Sequence, residues 1–402
     1  MTRLPVFVIV MTVVIDAMGI GLIIPVLPDL IREVTGQDLA HAAIWGGVLE
    51  TVFAVMQFLF APMLGSLSDA KGRRPVLLVS LVVVALVYGM MAVAGTMWLL
   101  LAARIFGGIA SATHATAAAY MADISAPHEK AARFGLIGAG FGIGFVLGPA
   151  FGGLLAEFGT RAPFWAAGGL ALANAALGYF VLSETVTDRI RRSFSWRRAN
   201  PLSAFFDISR IKGAAPLLGV IFLYHVSTAV YPAIWPFFTG EMFGWSPAMI
   251  GASLAVYGVS LAVTQGALVA PTIRILGDRG AVMLGLLLEL MALVILGFIT
   301  SGTLLMWLIP LLGLAGIGLP ALQGITSRMI ADDMQGTLQG VQTSLASLAM
   351  IITPLVATQV FAAFSHAGAT PYLPGAPFLV SAALMVLAII AYLRALKRNT
   401  VA

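Results

Sequence analysis

The chain contains no cysteine and little charge, with only 10% of its 402 residues being Asp, Glu, Lys or Arg. The missing thiols exclude disulfides, thiolate metal sites and cysteine nucleophiles. Five histidines fall without metal-ligand spacing, and neither a P-loop nor a Gly-x-Ser-x-Gly elbow is present. ATP-driven transport, hydrolysis and metal chemistry therefore have no visible machinery, and no cofactor is implied. No nucleophile, base and orienting group assemble into an intramembrane enzyme either. Any uphill movement must draw on an ion gradient.

Apolar residues fill the space that charge leaves. They make up 60% of the chain, against about 45–50% in a soluble domain, and the mean hydropathy is +1.00. A membrane helix needs about 20 mainly apolar residues. Twelve such segments are expected, at 5–28, 43–65, 75–94, 97–122, 132–157, 163–184, 214–240, 247–271, 281–300, 303–327, 337–364 and 374–396. Arg3 ahead of the first run suggests a signal peptide, but Asp16 interrupts the run and no small-residue cleavage site follows. It reads as a retained helix.

Placing both termini in the cytoplasm puts all of the 22 basic residues on that side except Arg32, Arg161 and the intrahelical Arg104. That bias fixes orientation. Trp45, Trp98, Trp165, Trp245 and Trp307 fall near the opposite helix ends, as an aromatic belt requires. The net charge of +5 thus reflects topology, and no nucleic-acid partner is expected. The longest cytoplasmic break, 185–213, mixes Arg189, Arg191, Arg192, Arg197, Arg198, Arg210 and Lys212 with Phe194, Trp196, Phe205 and Phe206. It reads either as an interfacial tether on anionic lipid or as a regulatory segment.

Between the second and third segments lies a charged turn, Gly65-x-x-x-Asp69-x-x-Gly72-Arg73-Arg74-Pro75. A weaker echo, Pro271-x-x-Arg274-x-x-Gly277-Asp278-Arg279-Gly280, follows about half a chain later. The expected organisation is an N-terminal six-helix bundle at 1–184, a basic linker at 185–213 and a C-terminal six-helix bundle at 214–402. The fold class is then an all-α membrane protein of twelve transmembrane helices in two pseudo-symmetric bundles.

The turn at 65–75 resembles the G-x-x-x-D-x-x-G-R-R signature of the major facilitator superfamily. Gly144-x-x-x-Gly148-Pro149-x-x-Gly152-Gly153 resembles its antiporter motif, and Arg104-Ile-Phe-Gly107-Gly108 its fourth-helix motif. Asp16-Ala-Met-Gly19-Ile-Gly21, Leu319-Pro-Ala-Leu-Gln-Gly324 and Gln335-Gly-x-Leu-Gln-Gly340 are similar to the tetracycline/proton antiporters, over nearly the whole chain. The resemblance implies proton-coupled efflux of a small amphipathic organic compound by a monomer in the bacterial inner membrane. Protons and membrane lipids are the other partners it implies.

Each motif then has an expected job and a plainer alternative. Asp69 could latch onto the helix N-terminus near Thr337, while Arg73 and Arg74 could engage Asp123, Glu129 or lipid phosphates, or only fix topology. Gly144, Gly148, Gly152 and Gly153 permit close packing and Pro149 bends the helix; the seam is static, or belongs to the rocking interface that the resemblance implies. With Gly65 and Gly72 these form the expected gate.

Ionisable residues within the segments are Asp16, Glu50, Arg104, His114, His225 and Glu289. A charge at a helix centre costs about 2.5–3.5 kcal/mol on insertion scales. A carboxyl group that alternates between environments can load and release a proton, so Asp16, Glu289 and Glu50 are the expected proton carriers. Structural pairing, for instance of Asp16 with Arg104, is the alternative. Arg104 itself cannot release its proton and serves as a fixed cation. His114 and His225 either titrate or pack.

Thr228, Tyr231 and Trp235 with His225 form one polar stripe, and Tyr257, Ser260 and Thr264 another. Gln57, Gln265, Gln323, Gln339 and Gln342 add uncharged hydrogen-bonding groups, which suit a substrate cavity or interhelical bonds. The chain also departs from tetracycline exporters, with Val87 where they carry aspartate and Leu261 where they carry histidine. Glu50 and His114 replace neutral residues, and Glu289 matches the ninth-helix acid only in charge. A metabolite facilitator or importer, or a transporter-like sensor, are the competing functions.

Overall fold

The computed structural model describes residues 3–111, 113–126, 128–187, 194, 200, 215–330, 334–366 and 368–397. Most of the basic linker, Arg398 among the terminal basic residues, and all of the linker's arginines and lysine lie outside the described residues. The described residues form helices and no strands. In lipid only helices or closed barrels satisfy every backbone polar group, and this composition takes the helical route.

Among the described residues ten stretches are long and apolar enough to cross a membrane. One of them, Pro247–Phe298, contains the eighth and ninth expected segments. The fourth segment is present as Met97–Ala110 and Thr113–Asp123. Among the described residues the helices are thus consistent with the twelve expected transmembrane segments.

The boundaries show where local chemistry outran the hydropathy pattern. The first segment runs as α1 (Arg3–Ile23), a short 3-10 turn at Ile24–Val26, and α2 (Leu27–Thr35). Pro25 and Pro28 do not end it, because each sits in the first turn of its own short helix, where no amide donor is needed. Gly36, at φ 67°, closes it instead.

The second segment, α3 (Leu39–Lys71), has 33 residues, so at 1.5 Å per residue it exceeds the roughly 30 Å hydrocarbon core. Asp38 caps it by accepting the His41 amide at 2.9 Å and meeting the His41 ring at 2.8 Å. That backbone bond, more than the ring, holds the Asp38 carboxyl below its ordinary range. At the other end the expected turn at 65–75 shrinks to Gly72, since Gly65, Asp69 and Lys71 are helical. Gly72 has φ 115°, a conformation that favours glycine.

The third to sixth segments include α4 (Arg73–Ala92), α5 (Met97–Ala110), α6 (Thr113–Asp123), α7 (Lys130–Leu155) and α8 (Ala162–Val181). The seventh is broken at Ala229 into α9 (Ala215–Thr228) and α10 (Val230–Phe243). Pro232 accounts for the break, because its ring meets the carbonyl of residue 228. The eighth is α11 (Pro247–Val263) with a π-helical turn at Thr264–Leu268. The stretch α12 (Val269–Phe298) breaks at Gly277, φ 69° and ψ 170°. Gly302–Leu312 with Gly318–Arg328, then Gln335–Ser365 and Ala376–Lys397, complete the chain as α13, α14, α15 and α16.

The fold divides into two compact units that are not contiguous in sequence. One comprises Met1–Gln37, Val52–Pro201 and Ser246–Ala255; the other comprises Asp38–Thr51, Leu202–Trp245 and Val256–Ala402. In the first unit α7 lies directly on α1. A methyl group on Gly148 would stand 2.6 Å from the Met18 carbonyl and 2.8 Å from Gly21 Cα, and one on Gly144 2.9 Å from Ala17 Cβ. Gly152 meets Leu22 in the same way, while Gly153 faces Pro247 and Ala248 at the start of α11. In the second unit Gly285 and Gly318 bring α12 onto α14, and Gly47 lies against Thr358 and Pro354.

Gly148→Val overpacks the α1–α7 contact and is expected to destabilise the protein by about 1–3 kcal/mol. Gly142→Ala, at a position with nothing within 4 Å, serves as the control. A thermal melt followed by size-exclusion chromatography in detergent measures the difference.

Candidate functional site

In the first unit the acid of α1 is Asp16, which is half-buried. One turn on, Gly19 has no side chain, and that gap admits the Tyr88 ring; a Cβ there would lie 2.7 Å from the phenol oxygen. Tyr88 is buried and within electrostatic reach of both Asp16 and Arg104. Arg104 lies with its guanidinium carbon 5.8 Å from the Phe53 ring centroid, a cation–π contact. Gly108 brings α5 onto the Phe53 carbonyl and Met56 of α3. Tyr88 and Phe53 were not singled out from sequence. An aromatic residue in an apolar helix gives no local sign that an acid and a cation lie within electrostatic reach of it.

Val87 is buried, with Gly107 packed against its side chain. Leu261 packs against Gly316. Both departures from tetracycline exporters are therefore filled by hydrocarbon contacts.

The fully buried acid of the second unit is Glu289, 4% exposed on α12. Tyr231 donates its phenol to Oε1 at 2.7 Å. Tyr257 and Tyr224 also lie within electrostatic reach. Tyr224 escaped the sequence stripes, although it immediately precedes His225 and their rings are 6.1 Å apart.

The two polar stripes are only partly kept together. Thr228 gives its hydroxyl to the Tyr224 carbonyl of its own helix at 3.0 Å. Trp235 is buried, and its carbonyl accepts from Thr239. Ser260 donates to the Pro310 carbonyl at 2.5 Å. Thr264 is buried in the π turn, and its hydroxyl has no partner among the described residues.

Gln342 donates to Thr326 at 3.2 Å, which is an interhelical bond rather than an open cavity wall. Gln323 is half-buried, and Gln57, Gln265 and Gln339 are exposed. Glu50 is half-buried on α3. His114 meets the Phe141 ring edge-on at 5.4 Å. Among the described residues no three His, Cys, Asp or Glu are placed to hold a metal ion.

The charged turn forms a network within the first unit. Arg73 bridges Asp69 at 2.6 Å and Asp123 at 3.2 Å, and also donates to Ser68. Arg74 donates to the Tyr179 carbonyl at 2.8 Å and lies 5.1 Å from that ring centroid. Of the partners expected for these arginines, Asp123 is the one Arg73 engages, while Glu129 pairs with Arg133 at 2.9 Å. Its carboxyl is held below the ordinary range chiefly by the Ala126 amide.

Glu184, which had no assigned role, anchors the turn. Its carboxylate sits where a Gly72 side chain would be and accepts the amides of Arg73 at 2.9 Å and Arg74 at 3.2 Å. A carboxylate at a helix N-terminus satisfies unpaired donors and complements the dipole. The half-chain echo has a counterpart in the second unit, where Asp278 pairs with Arg328 at 2.8 Å beside Gly277. Gln335 there donates to the Ser327 and Ile330 carbonyls at the end of α14.

Glu184→Ala is expected to cost about 1 kcal/mol as a lost cap. It should accelerate hydrogen exchange at the Arg73, Arg74, Thr185 and Val186 amides, all of which the carboxylate accepts. Exchange resolved by mass spectrometry checks this.

A family model described as Major Facilitator Superfamily matches residues 9–224 and, separately, 216–401. Tetracycline resistance protein, class C, of Escherichia coli is 42% identical over 352 residues, covering 88% of each chain. The class B protein of the same organism is 36% identical over 85% of this chain and 84% of that one. Among solved structures, the human organic anion transporter MFSD10 (TETRAN) is 26% identical with a TM-score of 0.70, over 97% of this chain and 99% of that one. The nucleoside transporter NupG, at 13% identity and a TM-score of 0.79 over 98% of this chain and 100% of that one, shares the fold.

Proposed function

The chain belongs to the Major Facilitator Superfamily, and from that membership we propose that it is a proton-coupled exporter of a small amphipathic organic compound, tetracycline-like in class. It is a multi-pass membrane protein and a transporter rather than an enzyme. The observation that carries the proposal is an acid within the membrane helices of each unit, Asp16 beside Tyr88 and Glu289 beside Tyr231, in a chain 42% identical to a tetracycline resistance protein.

The mechanism is alternating access. Protons entering from outside load Asp16, Glu289 or Glu50 and drive the return of the emptied carrier, while Arg104 remains a fixed cation. Inward movement of each proton gains about 2.3 kcal/mol per 100 mV of membrane potential. The substrate meets half-exposed aromatic and polar groups of the second unit, including Tyr231, Tyr257, His225 and Gln323. The networks of Asp69, Arg73 and Arg74 and of Asp278 and Arg328 act as paired gates, and the Gly144 to Gly153 seam as a sliding surface. Because hydrocarbon fills the Val87 and Leu261 positions, coupling passes to the remaining carboxyl groups.

In proteoliposomes, substrate addition is expected to release protons in exchange. Asp16→Asn together with Glu289→Gln should abolish the exchange; release that survives both substitutions overturns the coupling scheme. Counterflow insensitive to an imposed pH gradient would identify a facilitator instead.

The site of action proposed is the bacterial inner membrane, with both termini cytoplasmic. The native chain offers no thiol, so single cysteines introduced at Lys71 and Arg161 report sidedness without background. An impermeant maleimide applied to whole cells is expected to label the cysteine at 161 and spare the one at 71.

A further inference from the structure

Two irregular turns of the second unit face each other. In α11 the π turn at Thr264–Leu268 carries one residue in excess of α geometry, because the Val269 amide bonds the Thr264 carbonyl five residues back. A 3-10 turn, Gly313–Ile317, joins α13 to α14, and the Gly318 amide reaches back only three residues, to Ala315. One helix is underwound and its neighbour overwound.

Packing ties the two turns together. Residues three apart eclipse in a 3-10 turn, so Gly313 and Gly316 line up and leave a groove without side chains. Ser260 and Leu261 of α11 fill it: a Cβ on Gly313 would meet Ser260, and one on Gly316 would meet Leu261. The Ser260 hydroxyl donates to the Pro310 carbonyl at 2.5 Å. In an α-helix that carbonyl accepts the Leu314 amide, but amides of a 3-10 turn bond three residues back and pass it over. Ser260 supplies the missing donor, so its bond belongs to the 3-10 register.

Thr264 points to a second register. Thr272, Thr326 and Thr358 each donate to the carbonyl four residues back in their own helix, at 2.8, 3.1 and 2.7 Å. Thr264 is 1% exposed, yet its hydroxyl has no partner among the described residues. A buried hydroxyl left unpaired is costly, and α geometry would offer it the Ser260 carbonyl. Gly266, Gly313 and Gly316 lie where the backbone must convert, and glycine converts at little steric cost.

The consequence falls on α14. A residue passing from 3-10 to α geometry turns the chain beyond it by about 20° and draws it in by about 0.5 Å. Conversion of the whole turn therefore swings α14 by up to about 100°, about the point where Gly318 lies on Gly285 of α12. Two contacts of α14 belong to the present register: Thr326 accepts from Gln342 at 3.2 Å, and Arg328 pairs with Asp278 at 2.8 Å.

We propose that the π turn of α11 and the 3-10 turn between α13 and α14 are a paired register switch, latched by Ser260 on the Pro310 carbonyl, which turns α14 and so makes or breaks the Arg328–Asp278 pair during transport. This rests on the reading of the chain as an alternating-access exporter and gives its second unit an internal moving part. In the released register Thr264 bonds the Ser260 carbonyl and both helices regain α geometry.

The test uses the full chain in nanodiscs, with hydrogen exchange read by mass spectrometry. Ser260→Ala removes the latch and is expected to speed exchange of the amides at 265–269 and 311–318 together, by roughly five- to tenfold, the factor that one lost hydrogen bond allows. Ser344→Ala, which removes a hydroxyl bonded within α15, should leave both turns unchanged. The chain has no thiol, so spin labels on single cysteines introduced at Gln323 and Leu287 measure the turning of α14 against α12. Ser260→Ala is expected to add a second distance population, displaced by at least about 3 Å. Faster exchange at only one turn, or a single unchanged distance, overturns the switch.

Should Ser260→Ala not fold, the native chain still decides. Its two turns are expected to exchange as one group, at rates within about tenfold of each other, and a wider separation overturns the proposal. Saturating tetracycline is expected to shift the ratio of the two distance populations by at least about twofold. An unchanged ratio with tetracycline bound, as its fluorescence reports, overturns the switch. Two registers in a chain without proton-coupled export uphold the switch and overturn the exporter reading; export by a chain held in one register does the reverse.

Discussion

Hydrocarbon tolerates neither unpaired backbone groups nor unpaired charge, and both rules converge on α1. Its backbone lies directly on α7 because Gly144, Gly148 and Gly152 supply no side chains to hold the two apart. Its one acid, Asp16, lies two residues before Met18, the carbonyl against which Gly148 packs. Position and charge on this helix are thus set together, and a change in packing moves the acid. Gly19 extends the same logic to α4 by admitting Tyr88.

The two units solve the problem of a buried acid differently. In the first, Tyr88 shares its surroundings with Asp16 and a permanent cation, Arg104, which itself lies against Phe53. In the second, Tyr231 bonds Glu289, Tyr224 and Tyr257 lie within electrostatic reach of it, and among the described residues no permanent cation acts on it. An acid with a resident cation nearby has a partner for its charged form. An acid without one depends on what enters. That asymmetry gives the two units distinct chemistry in spite of matching the same family model separately.

Outside the apolar helices, order comes from short polar devices at helix ends. Glu184 accepts amides from the start of α4 and from its own loop, Gln335 accepts and donates around the end of α14, and Asp38 caps α3. Arg73 ties Asp69 to Asp123 across α3 and α6. These contacts link residues up to 111 positions apart, so a break in one helix end is felt by another.

By itself the sequence determined the class of fold, the twelve apolar segments and the acids inside them, because hydropathy and charge are local quantities that lipid reads directly. It also marked Gly72 and the antiporter glycines. Helix ends were misjudged where a turn-initiating proline was tolerated at Pro25 and Pro28, or where a helix outran the bilayer at Asp69 and Lys71. Only the tertiary structure decided partners: Arg73 with Asp123 and Glu129 with Arg133, Glu184 against Gly72, Tyr88 within electrostatic reach of Asp16 and Arg104, and Tyr224 with Tyr231 and Tyr257 near Glu289. A side chain's identity fixes what it can bond. Which atoms come within reach depends on how separate helices pack, and no local pattern in this chain records that.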